Sequence, residues 1–226
     1  MTEKVKKSKT LFSSFLLMLA AFIWGTAFVA QSKGLEQMGN FTFLCLRSCL
    51  AVVFLTPVSF FIFKKNRKQI GEGEHGENKK FISKRLVVGG LLCGATVCAA
   101  SATQQYGIML SGVGKSGFLT TLYILMVPLI GLVFRRKVKP ILWVCIAIAT
   151  CGMYFLCVTE AGSINIGDVF LITCAFLFAV QIMIVDHFVK TVDGVRLSLV
   201  QFFVAAVISA VCMFLFEEVD PVAIGD

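Results

Sequence analysis

Polar residues interrupt the chain at intervals that leave seven apolar blocks, at about 11–30, 41–63, 86–110, 116–134, 141–158, 167–188 and 197–216. Each is close to the twenty residues an α-helix needs to cross roughly 30 Å of hydrocarbon. Strands are not expected, because no block alternates apolar and polar with period two. The pattern therefore predicts an all-α membrane protein, a polytopic bundle of about seven transmembrane helices. The first block follows a basic stretch, as a secretory signal would, but it is too long for one. It also lacks a cleavage site followed by a soluble domain, and reads as the first span.

Lysine and arginine positions orient this threading. With the N-terminus inside, eighteen fall in inner segments, Lys33 and Lys115 fall outside, and Arg47 lies within a span, which accounts for all 21. Retention of basic loops in the cytoplasm then predicts a multi-pass protein of the cell membrane, with the N-terminus cytoplasmic and the end of this chain extracytoplasmic. Seven spans also place the acidic segment 217–226 outside.

Composition agrees with that solvent: 58% of the 226 residues are hydrophobic and 15% charged, against about a quarter charged in soluble domains. The net charge of +8 sits in clusters beside apolar blocks and has no interleaved exposed aromatics, which speaks against nucleic-acid binding. All nine cysteines lie inside apolar blocks. They read as packing residues, with no disulfide framework or metal spacing. The segment 64–85 is expected to be a mobile cytoplasmic loop. Within it His75 stands near glutamates, an arrangement read as solvated side chains in preference to a metal site.

The string Gly112-Val-Gly-Lys-Ser116 resembles the end of a phosphate-binding loop. Its first glycine would fall at Met109, and it lies between two membrane blocks, so an outer turn is the better reading. Neither a nucleophile with its base nor a paired-carboxylate or HExxH set can be assembled, so no enzymatic activity, metal or cofactor is expected. Candidate chemistry lies instead in polar groups at membrane depth. Arg47 is foremost, since a charge there costs roughly 2.5–3.5 kcal/mol on insertion scales. It is either a wall of a solute cavity or a side chain that snorkels to the outer headgroups or pairs with a backbone carbonyl. Gln104, Gln105 and Tyr106 in the third block, Thr120, Thr121 and Tyr123 in the fourth, Trp24 in the first, and Gln181 and Gln201 in the last two complete a speculative cavity lining. Threonines in membrane helices also bond back to their own helix, and Trp24 is equally at home in packing.

Gly90, Gly94, Ala95, Cys98 and Ala99 form a small-residue stripe suited to close helix approach, and Pro57 and Pro128 mark kinks or hinges. Sliding the chain by 154 positions pairs Leu17, Ala21, Phe22, Ala51 and Val53 with identical residues, and sets Arg47 against Gln201. The first and sixth blocks would then run in opposite directions, as an odd-numbered inverted repeat requires.

With these residues in view, the chain resembles the EamA family of the drug/metabolite transporter superfamily. The likeness is carried by Ala20-Ala-Phe-Ile-Trp-Gly-Thr-Ala-Phe28, by 41–53 with its arginine, by Ser116-Gly-Phe-Leu-Thr-Thr-Leu-Tyr-Ile-Leu-Met-Val-Pro-Leu-Ile-Gly131, and by Gly167-Asp-Val-Phe-Leu. It implies two inverted five-helix repeats, ten helices around a central cavity, and alternating access for small metabolites or drugs. On that basis 11–158 would be a first repeat and 165–216 the opening two helices of a second, incomplete one. The leading expectation is a secondary transporter of small organic solutes, working alone or as a homodimer. The alternative is a partner-dependent fragment, acting as a membrane interaction subunit and lacking three C-terminal helices. A seven-span receptor fits less well, because its N-terminus would lie outside.

Overall fold

The computed structural model describes residues 3–69, 82–133, 140–157 and 165–217. His75, most of the loop containing it, the basic cluster at 135–139 and the tail beyond Glu217 lie outside those residues. The described chain is helical with no strand: α1 Glu3–Gln37, α2 Asn40–Gln69, α3 Lys84–Ser111, α4 Val113–Thr121, α5 Tyr123–Val133, α6 Pro140–Cys157, α7 Ile166–Phe188 and α8 Gly194–Phe216. Six of the seven predicted blocks are long and apolar enough to span a membrane, with α4 and α5 forming one span between them. The eighteen-residue α6 is not among the six.

Local chemistry sets several helix starts. The Ser83 hydroxyl accepts from the Leu86 N–H, and Asp193 accepts from Val195 and Arg196. Asn165 and Asp168 form a reciprocal capping box. Each satisfies amides that would otherwise be orphaned at a helix N-terminus. Between α3 and α4 the chain turns on Gly112 at φ +78, a left-handed conformation that glycine adopts without penalty.

Packing centres on α3, which lies against both α7 and α8, while α2 pairs with α8. Lipid provides little hydrophobic drive for helix association, so close backbone approach matters more. A Cβ on Gly90 would strike Val200, and one on Gly94 would strike Val204 and the Gln201 carbonyl. The glycine stripe of the third block thus faces α8, whereas its Ala95 and Ala99 are exposed. Gly107 is pressed in the same way by Leu171 of α7. Leu44, Cys98 and Ala205 form one buried cluster among α2, α3 and α8, and Leu86, Cys93 and Leu197 form another. Cys45, Cys49, Cys93, Cys98, Cys151, Cys174 and Cys212 are free thiols. By contrast, none of the apolar window of α1 is buried.

Candidate functional site

A cavity of about 340 Å³ lies between α1 and the divided helix α4/α5. Ala21, Trp24, Gly25 and Phe28 form one wall, and Gly117, Phe118, Thr120, Thr121 and Tyr123 contribute to the other. Trp24 and Tyr123 stack across it, with ring centroids 6.1 Å apart and planes 19° from parallel. Tyr123 also meets Phe178 of α7 at 6.4 Å, which ties this wall to the packed core.

The wall owes its shape to a break at Leu122. There the Leu122 N–H turns back to the Leu119 carbonyl at 3.3 Å, a tighter i to i−3 bond, while Thr121 donates its hydroxyl to Gly117 at 2.6 Å. Such back-bonding threonines bend helices. Pro128 sits six residues further on, inside α5, so the discontinuity precedes the proline. Pro57 lies inside an uninterrupted α2.

The remaining predicted residues divide into other groups. Arg47 donates to the Ser101 hydroxyl at 2.9 Å, and no carboxylate among the described residues pairs with it. Gln181 donates to Gln201 at 3.1 Å, joining α7 to α8. Gln104 and Gln105 are buried on α3. The Nε2 of both and the Oε1 of Gln105 have no protein hydrogen-bond partner among the described residues. Tyr106 joins an aromatic group with Phe41 and Phe170. Of the ten predicted residues, therefore, Trp24, Thr120, Thr121 and Tyr123 share the cavity, and the other six do not line it. Gly25, Phe28, Gly117 and Phe118 were absent from the expected lining. Their signal was a glycine beside an aromatic at corresponding depth in two blocks.

Polar clasps close the ends of the bundle. At the α3/α4 turn Lys115 pairs with Asp168 at 2.7 Å, with side chains 17% and 5% exposed. Ser111 lies 2.9 Å from the same carboxylate. Glu217, just past α8, accepts from the Phe41 and Thr42 amides at 2.6 and 2.9 Å and from the Thr42 hydroxyl at 2.7 Å. It thereby caps the start of α2 with a carboxylate, where the helix dipole favours negative charge. At the opposite end of the same helix pair, the Arg196 guanidinium lies 5.2 Å over the Phe63 ring. A second cavity of about 520 Å³, lined by Leu92, Ile130, Phe176, Val180, Met183, Ile184, His187 and Phe188, offers one polar side chain, His187.

Comparison with known proteins now adds to this geometry. The profile of the EamA-like transporter family matches residues 11–158. A protein of Archaeoglobus fulgidus described as an uncharacterized transporter is 26% identical over 209 residues, covering 89% of this chain and 58% of its own length. The chain thus spans under two thirds of that relative. No solved structure matches the chain significantly.

Proposed function

We propose, from the premise that the chain belongs to the EamA-like transporter family, that it moves small organic metabolites or drugs across the cytoplasmic membrane by alternating access, as an exporter or exchanger. Membership makes it a multi-pass membrane protein of a transport family, not of an enzyme family. The observation that carries the finer reading is the cavity between α1 and α4/α5, where a membrane helix tightens into an i to i−3 turn at the solute-facing wall. Irregular helices beside a solute cavity supply the movable elements that secondary transporters use. No energy source other than an ion or solute gradient is implied by the residues present.

The orientation follows from the eighteen inner lysines and arginines: N-terminus and loop 64–85 cytoplasmic, the Glu217 clasp outside. The inverted repeat draws support from contacts as well as identities. Thr42 meets Glu217 on the outer side and Phe63 meets Arg196 on the inner side. Thr42 and Arg196 are 154 positions apart, as are Phe63 and Glu217. The two clasps thus occupy corresponding places at opposite ends of α2 and α8, which is what a two-fold relation in the membrane plane would give.

The exposure of α1 favours a second reading, in which the chain works with further helices. In the repeat relation α1 corresponds to α7, and α7 is covered by α3. A helix equivalent to α3, from a second copy of this chain or from the remainder of a longer protein, would cover α1 in the same way. Reconstitution into liposomes, with flux measured for amino acids, nucleosides, cationic drugs and uncharged heteroaromatics, tests the transport reading. Protein-dependent saturable flux supports it, and flux no faster than in protein-free liposomes across all four classes refutes it.

A further inference from the structure

We propose that the cavity between α1 and α4/α5 is shaped for an uncharged, planar, two-ring heteroaromatic bearing an N–H donor. This rests on the transport reading only in treating the cavity as a solute site. The first observation concerns glycine. A glycine inside a helix is about 1 kcal/mol worse than alanine and needs a compensating reason. Crowding supplies it at Gly90, Gly94, Gly107 and Gly167, where neighbouring atoms leave no room for a Cβ, and the positive φ supplies it at Gly112. Gly25 and Gly117 have neither. A Cβ at either would meet nothing within 4 Å, and both line the cavity. Gly25 lies on the exposed face of α1 and Gly117 is half-buried, so what their missing side chains preserve is the open mouth of the cavity.

The second observation is the character of the walls. Trp24 and Phe28 face the site from α1, Phe118 and Tyr123 from α4/α5, and no Asp, Glu, Lys or Arg is among the lining residues. Trp24 and Tyr123 already stack on each other with centroids 6.1 Å apart, which leaves no slot for a third ring between them, so a flat aromatic solute would stack on the free face of that pair or against Phe28 and Phe118. An ion would enter without a counter-charge, at a high desolvation cost. About 340 Å³ is at the small end of ligand cavities, which run from roughly 300 to 1,000 Å³, so two fused rings fit better than a bulky amphiphile. The third observation is the polar content. The Thr121 proton is committed to the Gly117 carbonyl at 2.6 Å. Its oxygen is left as an acceptor that matches a solute donor, while the buried hydroxyl of Thr120, also in the lining and without a protein partner among the described residues, can take either role.

The chain has two tryptophans, Trp24 and Trp143, so the full-length Trp143→Phe protein in lipid nanodiscs reports from Trp24. The probe is 5-nitroindole, a planar uncharged N–H compound whose nitro group quenches indole emission. Saturable quenching is expected. Gly25→Leu and Gly117→Val should each raise the half-saturating concentration at least tenfold while the melting temperature does not fall, because neither new side chain meets protein atoms at its Cβ. N-methylation of the probe should weaken binding several-fold, and a carboxylate on its ring at least tenfold. Quenching that is linear in probe, equal in both glycine variants, or as strong for the carboxylate overturns the proposal. The two readings fail separately in this system. Saturable binding with no movement of 5-nitroindole across proteoliposomes leaves the solute class standing and defeats transport. Flux of charged solutes with no response at Trp24 leaves transport standing and defeats the class.

Discussion

Replacing Glu217 by alanine removes three hydrogen bonds at once, two from the first amides of α2 and one from the Thr42 hydroxyl, all between 2.6 and 2.9 Å. Bonds to a charged acceptor contribute about 1.5–3 kcal/mol each when water is excluded. Glu217 and its partners are only half-buried, so water recovers part of that loss, and helix-cap replacements set the scale at about 0.5–2 kcal/mol. The expected cost is about 2 kcal/mol, concentrated where α2 begins. At 1.4 kcal/mol per factor of ten, this is about a thirtyfold rise in local opening. Hydrogen–deuterium exchange on the nanodisc-embedded protein reads it directly. The amides of residues 41–43 should exchange about thirtyfold faster in Glu217→Ala, and by an intermediate factor in Glu217→Gln, which keeps an acceptor but loses the charge. Protection at the opposite end of α2, near Phe63, should not change. Exchange within threefold of the parent protein at 41–43 would refute the clasp and the magnitude assigned to it.

Four further outcomes follow from the same contacts. Gly94→Val should destabilise the α3/α8 packing by about 1–3 kcal/mol, since its Cβ would press on Val204 and the Gln201 carbonyl, as overpacking does; reversible unfolding in mixed micelles measures this, with Gly25→Ala as a neutral or mildly stabilising control. Lys115→Met leaves the nearly buried Asp168 carboxylate without its cation and should cost about 1–3 kcal/mol; adding Asp168→Asn should recover part of it in a double-mutant cycle. Arg47→Leu removes a charge that donates to the Ser101 hydroxyl of α3 and lies outside the cavity lining, so it should insert normally and leave flux unchanged; a severalfold loss of flux would bring Arg47 into the pathway. Alkaline phosphatase fused after Met38 should be active and after Gln69 inactive; the reverse pattern would invert the proposed orientation.

Much of this architecture was legible in the sequence, for a physical reason: lipid demands blocks of about twenty apolar residues, and such blocks are visible without any partner. The break at Leu122 was not legible. Proline is the usual sign of a helix discontinuity, but here Thr121 back-bonding to Gly117 and the i to i−3 turn act six residues before Pro128. Four of the ten predicted polar or aromatic residues share one cavity. Membrane depth could be read for each, but the face of its helix could not, since apolar residues surround every span and blunt the usual amphipathic signal. Arg47 accordingly lies at the expected depth yet points to α3. Glu217 read as part of an acidic tail, because a cap formed across 176 positions leaves no local pattern. Gly25 and Gly117 stood in the segments that carried the family resemblance, but only coordinates distinguish a glycine with open space beside it from one crowded by a neighbour.

Solute counterflow in proteoliposomes tests the central claim that the cavity between α1 and α4/α5 is the transport site. Vesicles preloaded with unlabelled 5-nitroindole should take up the labelled compound transiently above equilibrium, and Gly117→Val should abolish that overshoot while the protein remains folded. An overshoot of undiminished size in Gly117→Val would place the pathway elsewhere in the bundle and contradict the account.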